Sequence, residues 1–150
     1  MELVLWRHAE AEDGAPDQER KLTPKGVKQA KRMAEWLKKR LPKGTIVLAS
    51  PARRTQETAR QLTEKFETSE DVGTGASVAS ILRAAGWPKR DGVVVVVGHQ
   101  PTLGEAMALV LSGREVEWSI KKGAIVWIAS RGRDGGPRAY LRAVISPDLI

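Results

Sequence analysis

The sequence contains no cysteine and only two histidines. Without cysteine there is no disulfide, no thiol nucleophile and no thiolate metal site, and two imidazoles are too few for a histidine-rich metal cage. Phenyl-type rings are just as scarce, Phe66 and Tyr140 being the two that occur. Trp6 and Trp127 lie inside strand-like runs, and Trp36, Trp87 and Trp118 read as packing residues. An exposed surface of stacking aromatic rings is therefore not expected, nor is a nucleic-acid partner. No apolar run approaches the roughly 20 residues that a membrane-spanning helix needs, so no membrane partner is expected either. The N-terminus lacks the basic, apolar and small-residue regions of a secretory signal, which makes a cytoplasmic location the expectation.

What is present describes a globular chain. Its 150 residues are 41% hydrophobic and 29% charged, enough to bury one sheet-and-helix core, and residues 1–150 are expected to form a single domain. Lysine and arginine exceed the acidic residues by 25 to 18, a net charge of +7. The densest basic groups, Lys38-Lys39-Arg40 and Arg131 with Arg133, fall at a helix end and a turn, where solvated cations are ordinary.

The chain is organised around Leu3-Val4-Leu5-Trp6-Arg7-His8. Four apolar residues flanked by charge suit a strand covered on both faces, and open α/β sheets bind ligands beyond the carboxyl ends of such strands. The other histidine, His99, follows a second apolar run, Val93 to Val97 with Gly98. The two imidazoles thus stand at equivalent ends of two predicted strands.

Between them the pattern alternates. Thr23 and Pro24 cap and open a helix with Val27, Ala30, Ala34, Leu37 and Leu41 on its buried face, ending near Pro42-Lys43-Gly44. Thr45 to Ala49 is a short strand, and Ser50-Pro51 repeats the cap-then-proline signature. The helix so opened is expected to bury Ala52, Thr55, Ala59, Leu62 and Phe66, and one of Arg53 and Arg54 should reach the histidines. Residues 68–74 are a loop with an optional edge strand. Val78, Ile81, Leu82 and Ala85 mark a helix closed by Gly86-Trp87-Pro88, and Pro101 opens one bearing Leu103, Met107, Val110 and Leu111. Two strand-like runs, 124–129 and 139–144, joined by a glycine-rich turn at 132–136, add an antiparallel edge. The fold expected is a three-layer α/β/α sandwich with a mostly parallel sheet.

His8, His99, Arg7 and an arginine after Ser50-Pro51 would then meet at one sheet edge beside two helix N-termini. Guanidinium forks match phosphate oxygens bidentately, and helix N-termini add backbone donors, so a phosphoryl group is the natural occupant. Histidine is a covalent nucleophile, and neighbouring guanidiniums lower its proton affinity so that the neutral ring is available.

Four blocks of residues carry a resemblance. Arg7-His8-Ala9 resembles an Arg-His-Gly motif; Leu22-Thr23, Gly26 and Gln29-Ala30 are similar to a Leu-Thr-x-x-Gly-x-x-Gln-Ala segment; Ser50-Pro51 with Arg54 and Thr58 resembles Ser-Pro-x-x-Arg-x-x-x-Thr; and Gly98-His99 resembles a second histidine block. Together they resemble the histidine phosphatase superfamily, phosphoglycerate mutase-like in fold, and in particular its small SixA-type phosphohistidine phosphatases. The spacing of the third block selects Arg54 over Arg53. Ala9 departs from the family's glycine.

The resemblance implies in-line attack by His8 on phosphorus, with Arg7, Arg54 and His99 holding the equatorial oxygens and Gln100 joining the phosphate-binding set. It implies a phosphohistidine enzyme intermediate and neither metal nor other cofactor. A carboxylic acid that protonates the leaving group in larger relatives has no assigned position here; Glu10 and Glu70 are the foremost candidates, with Glu12 and Asp71 beside them. A phosphoramidate needs less acid help than an ester, and the stretch between Arg54 and His99 leaves no room for an inserted lid. The expected substrate is therefore a phosphorylated protein, most simply a histidine-phosphorylated signalling or phosphotransfer protein. A phosphatase of small phosphate esters and a non-catalytic phosphate-binding module are the alternatives.

Overall fold

A computed structural model describes residues 1–131 and 139–150. Its central strand is β1 (Glu2–Arg7), in which Leu3, Val4, Leu5 and Trp6 are all fully buried. Burial of every successive residue, whichever way it points, requires cover on both faces of the sheet.

Around β1 the described residues form, in chain order, α1 (Pro24–Lys38), β2 (Ile46–Ala49), α2 (Arg53–Leu62), β3 (Glu67–Thr68), α3 (Val78–Ala85), β4 (Val93–Gly98), α4 (Thr102–Ser112), β5 (Ile125–Ser130) and β6 (Ala139–Ile145). The sheet order is β3-β2-β4-β1-β5-β6. Strands β3, β2, β4 and β1 run parallel, while β5 and β6 are antiparallel to their neighbours. Alternate residues of one strand feed two cores. Leu3 and Leu5 join Ile81, Leu103 and Ala106 of α3 and α4, whereas Val4 and Trp6 join Met33, Leu37 and Ala59 of α1 and α2. This is the expected α/β/α sandwich with an antiparallel edge. The glycine-rich turn expected at 132–136 lies outside the described residues.

Three local expectations shift. The buried stripe of α1 runs through Gly26, Ala30, Met33, Ala34 and Leu37, leaving Val27 on the exposed side. The reason is a close backbone approach at Gly26: a Cβ there would run into the carbonyl of Glu10, so α1 is turned to put its glycine against the chain just past His8. Helix α2 begins two residues late, at Arg53, because Ser50 and Pro51 stay in the link from β2. It ends at Leu62, so Phe66 packs on the core from outside the helix. The optional edge strand exists as the two-residue β3. Among the described residues no helix is long and apolar enough to cross a membrane.

Thr23 caps α1 as its sequence suggests, its Oγ1 accepting from Gly26 N–H at 2.9 Å. Gly26→Ala is expected to lower stability by about 1–3 kcal/mol through this clash, read as a lower urea midpoint. Gly75→Ala, where a Cβ meets nothing within 4 Å, should leave the midpoint nearly unchanged.

Candidate active site

The register of the parallel strands assembles the site. Arg7 at the end of β1 pairs with Gly98 at the end of β4, so the next residues, His8 and His99, emerge side by side. His8 N–H donates to Gly98 O at 3.1 Å, and the two ring centroids lie 5.4 Å apart. On the other side of β4, Ala49 pairs with Val97 and Ser50 N–H donates to Val97 O, bringing Ser50 to the same edge. Helix α2 starts immediately beyond, and Arg54 in its first turn is 4% exposed.

Hydrogen bonds fix the chain around His8. Thr58 Oγ1 donates to Arg54 O at 2.7 Å and accepts from Ala9 N–H at 3.1 Å, clipping α2 to the turn after His8. Gln29 Oε1 accepts from Glu10 N–H, and Glu57 Oε1 accepts from Leu22 N–H. The turn tolerates the Cβ of Ala9, because no non-glycine residue among those described has a positive φ. The motif residues Gln29 and Thr58 thus brace the backbone that carries the imidazole.

The tautomer of His8 follows from its partner. Its Nδ1 lies 2.7 Å from Ala9 O, a carbonyl that can only accept, so Nδ1 carries the proton and Nε2 keeps a lone pair. Burial pushes the His8 pKa down to about 4; the bond to Ala9 opposes this, and the charges of Arg54, Arg7 and Arg20 reinforce it. His99 is pushed down to about 3 by burial, by His8 and by Arg54, with Asp17 working the other way. Both rings are neutral near pH 7.

Positive charge surrounds them. Arg7 Nη1 donates to Ile120 O at 2.7 Å, and Arg54 donates to Asp17 O at 2.9 Å and to Asp17 Oδ2 at 3.1 Å. The Nε–H groups of both arginines are buried without a hydrogen-bond partner among the described residues. A cavity of about 240 Å³ opens here, lined by Arg7, His8, Arg54 and His99 together with Arg20, Lys122 and Asp13. Buried donors without acceptors are costly to leave unmade, and four cations against one carboxylate in one cavity suit an anion. Among the described residues no cluster of three or more His, Asp or Glu could hold a metal ion.

The remaining sequence candidates fall elsewhere. Gln100 lines the cavity, yet both ends of its amide are engaged, Nε2 donating to Trp118 O and Oε1 accepting from Gly104 N–H. Glu10 Oε2 accepts from the Thr23 hydroxyl at 2.7 Å, and Glu70 is exposed on the 3-10 turn Glu70–Val72; neither lines the cavity. Sequence reading missed Arg20, Lys122 and Asp17, which reach the site from segments with no periodic signal.

Residues 3–74 match the model of the histidine phosphatase superfamily (branch 1). The phosphohistidine phosphatase SixA homolog of Haemophilus influenzae is 35% identical over 124 residues, covering 72% of this chain and 76% of that one. The chain belongs to the histidine phosphatase superfamily. The family model and this relative support a phosphatase. The phosphohistidine phosphatase SixA of Escherichia coli is 30% identical over 125 residues, 75% of this chain and 76% of that one. In fold, this histidine phosphatase is similar to the protein histidine phosphatase SixA solved with tungstate, at a TM-score of 0.80 and 24% identity over 99% of each chain.

Because the folded rings bind protons only near pH 4 and pH 3 while unfolded histidines do so near 6.5, the unfolded state holds more protons throughout that interval. Stability is therefore fully present above about pH 6.5 and is lost as pH falls, by up to about 1.4 kcal/mol per pH unit for each ring. Urea midpoints at pH 7 and pH 5 should show the loss, and His8→Asn with His99→Asn should flatten it.

Proposed function

We propose that this chain is a metal-independent phosphatase that removes phosphate from phosphohistidine on a protein through a phosphohistidine intermediate at His8. The observation that carries this reading is the pairing of a neutral His8, whose Nε2 lone pair is free, with two arginines, Arg7 and Arg54, whose Nε–H groups are buried with no acceptor among the described residues.

The site can perform the reaction in two displacements. His8 Nε2 attacks phosphorus, the P–N bond to the substrate imidazole breaks, and that imidazole leaves in its neutral form from a protonated phosphohistidine. Water then attacks the phosphoryl group on His8, releasing inorganic phosphate and restoring the ring. Arg7, Arg54 and His99 are assigned to the non-bridging oxygens, where charge accumulates in the transition state. Gln100 is assigned to the wall that holds Trp118 and Gly104.

Three features favour a phosphoramidate on a protein over an ester. Neither Glu10 nor Glu70 lines the cavity, Asp13 being the carboxyl group that does, and an imidazole leaves without the acid that an alkoxide requires. The relatives from Haemophilus influenzae and Escherichia coli carry the name phosphohistidine phosphatase. A protein-borne phosphoryl group also suits a site with no inserted domain between Arg54 and His99, where the described elements are the rest of α2, β3, α3 and β4.

In a phosphate-release assay with EDTA present, the wild-type chain should dephosphorylate a histidine-phosphorylated phosphotransfer protein faster than it does sugar phosphates. His8→Ala should lower kcat by at least about 1,000-fold. Undiminished turnover in that variant would exclude the covalent route, and a preference for sugar phosphates would reassign the substrate.

A further inference from the structure

The hydrogen bonds of His99 are arranged for a ring that lacks a proton it will need. Arg54 can only donate, and its Nη2 lies 3.4 Å from His99 Nδ1, so Nδ1 presents a lone pair. The single proton of the neutral ring then sits on Nε2, 2.8 Å from Ser50 Oγ, which accepts it. Ser50 is fully buried, and its Oγ also accepts Ala52 N–H at 3.2 Å, so the hydroxyl is held from two sides. Yet the role assigned to His99 above requires the ring to donate to a phosphoryl oxygen. Nε2 is already turned into the protein towards Ser50, so Nδ1 is the ring atom left for the anion.

We propose that Ser50 is a positioning residue: by accepting Nε2–H it keeps His99 able to take one proton from solvent at Nδ1 when an anion binds, so that the ring meets the phosphoryl group as an imidazolium. This rests on the functional reading above. The balance is simple: one solvent proton is bound at Nδ1 as a dianion enters, and it is released when phosphate leaves. The groups around the ring bear on that proton. His8 at the end of β1, Arg54 of α2 and Arg20 disfavour it, Asp17 favours it, and Arg7, Asp13 and Lys122 line the same cavity. Alone, this environment holds His99 neutral; a dianion beside Nδ1 reverses the balance of charge.

Sulfate is a suitable probe, because it stays a dianion at pH 6 and brings no proton of its own. In protein labelled with ¹⁵N-histidine at pH 6, saturating sulfate should convert His99 Nδ1 from an unprotonated to a protonated nitrogen while Nε2 stays protonated. His8 should keep its proton on Nδ1 throughout, an internal check on the fold. Ser50→Ala should abolish the change at Nδ1 and lower kcat/KM on the phosphohistidine protein by about 10- to 100-fold. Ser50→Thr, which restores the hydroxyl, should recover both. A merely structural role for Ser50 would lower stability and leave the protonation of His99 unmoved. If sulfate binds and the wild type is active but Nδ1 stays bare, or gains its proton at the expense of Nε2, this inference falls and the phosphatase reading stands. If sulfate does not bind and no phosphohistidine is hydrolysed, both fall.

Discussion

Two guanidinium groups whose Nε–H is held out of water beside two uncharged imidazoles set the terms for this structure. Removing a cation from solvent is costly unless its donors are matched, and Arg7 and Arg54 each keep an Nε–H that no described residue accepts. Such an arrangement persists only where the surrounding fold over-determines it. The two apolar cores on either face of β1 supply that determination. Each fully buried Val, Leu or Ile contributes about 1.5–3 kcal/mol, and the sheet centre holds many of them.

The strands convert that stability into placement. Parallel register sets Arg7 against Gly98 and Ala49 against Val97, so three consecutive chain exits deliver His8, His99 and Ser50 to one edge. Small polar clips then remove the remaining freedom: Thr58 ties α2 to Ala9, Gln29 holds Glu10, and Gly26 lets α1 approach the same backbone. The motif residues divide accordingly into those that face the cavity and those that brace the turn behind it. The same burial that holds the rings in place strips their protons, which links the reactivity of the site to the acid sensitivity of the fold.

Much of this architecture was legible before any coordinates. Apolar runs ending in Arg7-His8 and Gly98-His99 announced strands closing on a site, and both strands were found, paired in parallel with each other. Helix phase was less legible. The α1 stripe was read from apolar spacing, which favoured Val27 over Met33, because the contact that turns the helix is between Gly26 and a backbone carbonyl and leaves no hydrophobic trace. Ser50 was read as a helix cap; its hydroxyl instead serves His99, a partner distant in the chain.

Local chemistry in the sequence therefore determined the sheet's central strands, the Thr23 cap of α1 and the identity of the two imidazoles and the motif arginines, because those depend on periodicity and on residue type within a few positions. The tertiary structure alone decided that Arg20, Lys122 and Asp13 line the cavity, that Asp17 pairs with Arg54, that Gln100 is held at both ends of its amide, and that His8 carries its proton on Nδ1. Each of those facts is a contact between segments without a repeating pattern, and hydrogen-bond direction and burial exist only once the segments have met.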